Sequence, residues 1–450
     1  MADQSGLQPK PEATACYAVE NSRGAVSSMD ALKNCIATFI MESGERYCLL
    51  CDRATGMPLF YPNLYVTTQI RNNSLSVSAM KTALTSIKVF LSYCHDEELD
   101  LEKRFIRRQF FTLSEIDGIR DCCQKRFKKE RAATSAGPVL VSPKQKQKPS
   151  KPAKSATEYV RLTYIGKYSK WLAEILQSGP MDRKTSQEIS AMQKRMNSRR
   201  PKRKGRNRLN NEKGLDEDQV DLLTELTRPG SEHNPFPKLA TQVRNRLIIF
   251  ILLHLGKRGG ELLNIRGRDI DWDNNQIVIA RRPDEKDDPR SDQPLTKTLD
   301  HRMPVEASLM DAIHKYINKY RKKVPNARAH DYLFVTHKAG PTQGQPLSIS
   351  SYHKILKTIA QTAPELKNLH GHALRHTWNH RFSVYMDTMD NPLTPEAQEQ
   401  LRSYLQGWKH GSGTAKWYTQ RFVREKAMEI GLELQKRGKT RIPENLTYES

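Results

Sequence analysis

The sequence predicts a mainly α-helical (α+β) protein with a small antiparallel β-sheet, divided into more than one domain. Apolar residues recur at helical spacing through most of the chain, whereas only short stretches such as QIVIARR and DYLFVT read as strands. At 450 residues the chain is long enough to bury two or three separate cores. Its positive charge is gathered in runs that cannot form a core and therefore mark the divisions.

Residues 1–66 read as a small N-terminal element: 1–28 polar and loose, 29–41 with helical spacing, and 45–66 as short strands around a turn at Thr55, Gly56 and Pro58. A helical domain is expected over 67–193. Ala79, Leu84, Ile87, Phe90 and Leu91 share one face, and LSEIDGIRDCCQKRF predicts a second helix capped by Ser114 with Glu115 in its first turn. About 131–156 there is no acidic residue but five lysines among Pro, Ser and Gln, which predicts a disordered basic insertion. Helical spacing resumes over 158–176 with Tyr164, Tyr168, Trp171, Leu172 and Ile175.

A second basic run carries ten Lys or Arg and one Glu between Lys194 and Lys213, and 194–214 is read as an interdomain linker. A linker needs no such charge excess, and cations that neutralise phosphates release counterions, so Arg199, Arg200, Lys202, Arg203, Lys204 and Arg206 are candidate DNA-backbone contacts. From 215 to 430 the chain is richer in apolar residues and forms the expected second domain, followed by a tail over 431–450. Asp216 is the apparent cap of its first helix, TQVRNRLIIFILLHLG a buried helix stopped at Gly256, QIVIARR a strand, 305–321 an amphipathic helix and DYLFVT a short strand.

The balance of 74 Lys+Arg against 50 Asp+Glu leaves a net charge of +24, which favours a polyanionic partner and above all nucleic acid. The longest apolar run, LIIFILL, is far too short to cross a bilayer, and the N-terminus has neither a secretory nor a transit pattern, so no membrane partner is expected. All seven cysteines fall in the first 123 residues; the odd number argues for a reducing compartment, and Cys48 and Cys51 of RYCLLCD read as small apolar residues of a buried strand. There is no internal repeat and no Gly-rich phosphate loop, which removes an ATP-driven mechanism from the leading readings.

GHALRHTWNH sets His372, His376 and His380 on one helical face. A metal site would need an acidic ligand or base nearby, yet no Asp or Glu occurs between Glu365 and Asp387, and Arg375 and Arg381 would repel a cation. Arginine beside histidine suits an anion instead, because the guanidinium offers a planar fork to two phosphate oxygens and imidazole can donate a hydrogen bond or accept a proton. No metal and no cofactor are expected. Arg258 in GKRGGELLNIRGRDID lies at a helix junction, Lys297 in TKTLDHRMPV near the tip or edge of a hairpin, and Trp408, His410 and Tyr418 flank the turn in LQGWKHGSGTAKWYTQ.

Taken in order, these residues resemble the tyrosine recombinase (phage integrase) family, whose signature runs Arg, Lys, His-x-x-Arg, His or Trp, and Tyr. The resemblance implies a helical core-binding domain before the basic run and a catalytic domain after it. It also implies Arg258, Lys297, His372, Arg375, Trp408 and Tyr418 as the catalytic set, with Tyr418 forming a 3'-phosphotyrosyl link to DNA. The expected activity is site-specific recombination or integration for a mobile genetic element. Double-stranded DNA is the expected partner, with a homotetramer on two sites, accessory recombination proteins and a cytoplasmic, nucleoid-associated, bacterial setting. The alternatives are a type IB topoisomerase-like strand passage enzyme and a non-catalytic DNA-binding accessory subunit. Three departures from the family pattern stand out: Lys257 replaces an apolar residue, the interval from Trp408 to Tyr418 is long enough for His410 to compete with Trp408, and Lys286 competes with Lys297 in a long polar hairpin.

Overall fold

The computed structural model describes residues 33–127, 152–202 and 214–437, apart from 178, 392, 410 and 414–419. The chain divides into two units, Met1–Phe39 with Tyr47–Gly205 and Ile40–Arg46 with Arg206–Ser450. Most of the insertion expected about 131–156 and most of the basic linker lie outside the described residues, while Ser155 and Ala156, read as part of the disordered insertion, are helical because they open the helix that runs to Ile175.

Near the N-terminus β1 (Asn34–Ile40) pairs with β2 (Arg46–Asp52), in which Cys48 and Cys51 are buried. The helical spacing read across 29–41 is therefore not realised over 34–40. Cys35, Ile36, Thr38 and Phe39 suit a pleated strand, and pairing with β2 overrides the local period. Conversely, Phe60–Val66, expected as strand, is helix α1. Pro62 is accommodated in its first turn, where a backbone N–H has no helical acceptor, and Asn63 ties the helix to β2 by accepting from Leu50 N at 2.8 Å and donating to Leu50 O at 2.9 Å.

The first unit continues with α2 (Val77–Asp96), α3 (Leu101–Ile106), α4 (Leu113–Gln124), α5 (Ser155–Ile175) and α6 (Arg183–Ser198). Thr112, not Ser114, caps α4, in a reciprocal capping box with Glu115. Tyr168 of α5 centres the core, its ring 5.4 Å from Tyr65 and 6.3 Å from Phe90. Because α6 runs to Ser198, the start of the linker read at Lys194 falls inside a helix.

The second unit holds α7 (Glu217–Leu226), capped by Asp216 as expected, then α8 (Leu239–Leu255) and the short α9 (Gly259–Leu263). A three-stranded antiparallel sheet follows, with β4 (Gln276–Ile279) between β3 (Ile270–Asp271) and β5 (His301–Pro304). Ile277 faces Met303 and Ile279 faces His301 across the ladder. The remaining helices are α10 (Ala307–Lys319), α11 (Ile349–Ala360), α12 (Gly371–Asp387), α13 (Pro395–Gln406) and α14 (Gln420–Arg437). DYLFVT does not form a strand: Tyr332 and Val335 make only isolated bridges, to Arg266 and Pro346. Its apolar residues are buried by packing around it, without a ladder.

Helix α8 is the axis of this core, with Leu247, Ile248, Ile249, Ile251, Leu252 and Leu253 all buried. It stops at Gly256, which takes the left-handed conformation (φ 62°) and where a Cβ would lie 2.7 Å from the Trp378 ring. The chain end of α8 is thereby pressed against α12. No helix among the described residues is long and apolar enough to cross a membrane.

Candidate active site

The site is assembled at the junction that Gly256 creates. Arg258, two residues on, is the N-cap of α9, and its Nη1 donates to Glu261 Oε1 at 3.0 Å while its backbone N–H donates to Glu261 Oε2 at 2.9 Å. Arg375, on the first turns of α12, is fully buried and donates through Nη1 to Gly256 O at 2.8 Å. The same Nη1 lies 3.6 Å from Glu261 Oε2, so one buried carboxylate stands between the two arginines. Trp408, just beyond α13, is buried, with the Arg375 guanidinium 5.3 Å from its ring centroid.

Lys297 reaches the same place through its neighbour. Thr298 is buried and donates to Glu261 Oε1 at 3.2 Å, and Thr296 donates to Ala280 O at 3.0 Å. These two threonines pin the loop between β4 and β5, and Lys297 between them is exposed. Lys286 is also exposed but has no such tie to Glu261.

Burial alone would raise the pKa of Glu261, but Arg375, Arg258 and Lys257 and the backbone N–H of Arg258 outweigh it and hold the carboxyl below its ordinary value. The glutamate stays ionised. For His372, partial burial and then Arg258, His370 and Arg375 push the imidazole pKa down, with Glu261 opposing. Its ring is consequently neutral near pH 7, able to accept a proton or a hydrogen bond. Arg258 keeps 22 % of its side-chain surface, enough to meet a ligand, while Arg375 is locked behind it.

The histidine cluster is divided by its helix. His370 caps α12, with Nδ1 accepting from Ala373 N at 2.9 Å; His372 is exposed beside the arginines; and His380 Nε2 lies 3.5 Å from a Glu425 oxygen of α14. Among the described residues no group of three His, Cys, Asp or Glu could hold a metal ion. Tyr418 and His410 lie outside the described residues, as do Arg203, Lys204 and Arg206. Arg199 and Arg200 are engaged within the first unit, Arg199 Nε 2.6 Å from Asp117 Oδ1 and the Arg200 guanidinium 4.9 Å from the Tyr159 ring centroid. Lys202 is exposed.

Glu261 is not among the residues that the sequence singles out. The available signal was an acid three residues after Arg258, the spacing at which a helix N-terminus folds the carboxylate back on its cap.

This α+β unit gathers two arginines, a neutral histidine and a lysine-bearing loop around one buried carboxylate, side chains of the type that can donate to an oxyanion. Residues 213–423 match the phage integrase family. That part of the chain belongs to the tyrosine recombinases. The tyrosine recombinase XerC of Staphylococcus epidermidis is 24 % identical over 136 residues, 30 % of this chain and 39 % of the relative. Tyrosine recombinase XerD of Halalkalibacterium halodurans shows the same identity and coverage. The chain thus spans about two fifths of the length of the curated relatives it matches. Among solved structures, XerA recombinase covers 84 % of this chain and 99 % of its own at 17 % identity and a TM-score of 0.34. The Tn1549 transposon integrase (residues 82–397) with circular intermediate DNA covers 58 % and 74 % at 16 % identity and a TM-score of 0.36.

Proposed function

We propose that the protein is a DNA strand transferase that cleaves and rejoins double-stranded DNA through a 3'-phosphotyrosyl intermediate. The observation that carries this reading is the meeting of Arg258, Arg375, Trp408 and the Lys297 loop around Glu261, inside a domain matched to the phage integrase family.

Cleavage without a metal needs a nucleophile, charge stabilisation at phosphorus and a proton for the leaving oxygen. Tyr418 is the nucleophile: its oxygen attacks phosphorus as the bond to the 5'-oxygen breaks, leaving a 3'-phosphotyrosyl ester and a 5'-hydroxyl. A free phenol has a pKa of about 10, so the surrounding cations must favour its ionised form. Arg258 and Arg375 hold the non-bridging oxygens, Lys297 protonates the departing 5'-oxygen, His372 serves as base or hydrogen-bond partner, and Trp408 supports the phosphate from the side. The ester keeps the energy of the broken bond, and an incoming 5'-hydroxyl reverses the step without ATP.

Site-specific recombination for a mobile element, by a homotetramer on two DNA sites and with accessory proteins, is the wider activity. Val423, Met428, Ile430, Leu432 and Leu434 of α14 are exposed and give a second copy an apolar surface to cover. Incubation with a nicked duplex selected from a randomised pool, followed by denaturing electrophoresis, should trap a covalent protein–DNA adduct that Tyr418→Phe abolishes. An adduct surviving in that variant would mean that another residue is the nucleophile.

The basic run is proposed to follow the DNA backbone. Lys202, Arg203, Lys204 and Arg206 are the ones to test, since Arg199 and Arg200 already have partners in the first unit. Neutralising all four should flatten the plot of log affinity against log salt by about 0.9 for each phosphate that the variant no longer neutralises. An unchanged slope in filter binding would remove these residues from the interface.

A further inference from the structure

Lys257 lies between Gly256 and Arg258 and is completely buried (0 % exposed), a place that an apolar side chain would fill without desolvating an amine. Its Nζ donates to Leu405 O, in the last turn of α13, at 2.6 Å and lies 2.8 Å from His301 Nε2 at the start of β5. His301 Nδ1 is 2.9 Å from Leu299 O, which can only accept. The imidazole therefore carries its proton on Nδ1, and Nε2 accepts from Lys257. The circuit closes through Leu299 N, which donates to Gly407 O at 2.8 Å. Gly407 takes the left-handed conformation (φ 63°), and a Cβ there would meet His301 Nδ1 at 2.5 Å.

Each segment in this circuit runs directly into the site. Lys257 precedes Arg258, Leu299 follows Lys297 by two residues, and Gly407 precedes Trp408. We propose that Lys257 and His301 are a positioning pair for strand cleavage, a buried relay that sets the spacing of the segments bearing Arg258, Lys297 and Trp408. The cleavage role rests on the recombinase reading above.

The surroundings suit a hydrogen-bonded relay. Burial lowers the Lys257 pKa to about 7, with Glu261 opposing and Arg375 and Arg258 adding to the shift. Burial and then Lys257 lower that of His301, with Leu299 O and Glu261 opposing and Arg375 reinforcing. Charged or neutral, the amine has at least two N–H donors, and two acceptors face it, the Leu405 carbonyl and His301 Nε2.

The test compares the wild-type protein with Lys257→Met, which keeps the volume but not the donors, and His301→Gln, whose amide oxygen can still accept. Two quantities are read, amide hydrogen exchange in segments 297–301 and 405–409 and the single-turnover rate of adduct formation on the selected nicked duplex. Lys257→Met is expected to speed exchange in both segments and to slow adduct formation by about 100-fold, the penalty for misplacing reacting groups by roughly 1 Å. Its affinity for the duplex should hold, and His301→Gln should stay well above it in rate. Unchanged exchange and rate in Lys257→Met overturn the inference. Loss of rate in parallel with DNA affinity, or faster exchange throughout the second unit, overturns it in favour of a residue that only stabilises the fold. If the wild type itself forms no adduct, the recombinase reading fails and takes the cleavage role with it. A wild-type adduct with an indifferent Lys257→Met sinks the positioning pair alone.

Discussion

Arg375→Lys is expected to slow adduct formation by about 10²–10³-fold, the loss that follows removal of one preorganised donor from a developing oxyanion. Lysine is the informative replacement. It keeps a positive charge near Glu261 and avoids the large cavity that alanine would leave, since Arg375 is among the largest fully buried side chains described. What lysine lacks is the planar fork that donates to Gly256 O at 2.8 Å, approaches Glu261 at 3.6 Å and faces the Trp408 ring, all from one rigid group. Single-turnover adduct formation and DNA affinity should be measured together. A rate within a few-fold of wild type would remove Arg375 from the transition state.

Glu261→Gln is expected to destabilise the second unit by about 3–5 kcal/mol, the usual cost of stripping one partner from a buried ion pair. The amide keeps the shape, yet Arg375 loses its buried counter-charge and Arg258 its partner at 3.0 Å. The pH dependence supplies a second signature. The folded-state pKa of Glu261 lies below its ordinary value of 4.5, so between those two values the unfolded chain binds more protons than the native one. The stabilisation is therefore complete above pH 4.5 and is lost as pH falls through the lower, folded value. Thermal unfolding across that acid window should fall more steeply for the wild type than for Glu261→Gln. Parallel curves would show that the carboxylate is not held by its cations.

Where local signals agreed with the surroundings, the elements were legible in the sequence. Asp216 and Gly256 mark helix ends because a side-chain acceptor and a left-handed glycine satisfy backbone groups locally. The spacing of 34–40 and 60–66 misled because both segments are short and take their state from partners elsewhere, β2 in one case and the Asn63 bonds to Leu50 in the other. DYLFVT has strand composition, but its pairing with each neighbour stops at one bridge, to Arg266 and to Pro346, so no ladder extends.

The same division runs through the site. Residue types and their order along the chain by themselves single out arginines, histidine and lysine as candidates for an anion-binding set and make the charge favour nucleic acid, because a guanidinium carries its chemistry wherever it is placed. Only the tertiary structure decided that Glu261 stands between Arg258 and Arg375, that Thr298 brings the Lys297 loop to that carboxylate, and that Lys257 joins β5 to the end of α13. Those bonds join residues up to about 150 positions apart along the chain. They follow from how the helices close around α8, and no local pattern of spacing encodes such a distance.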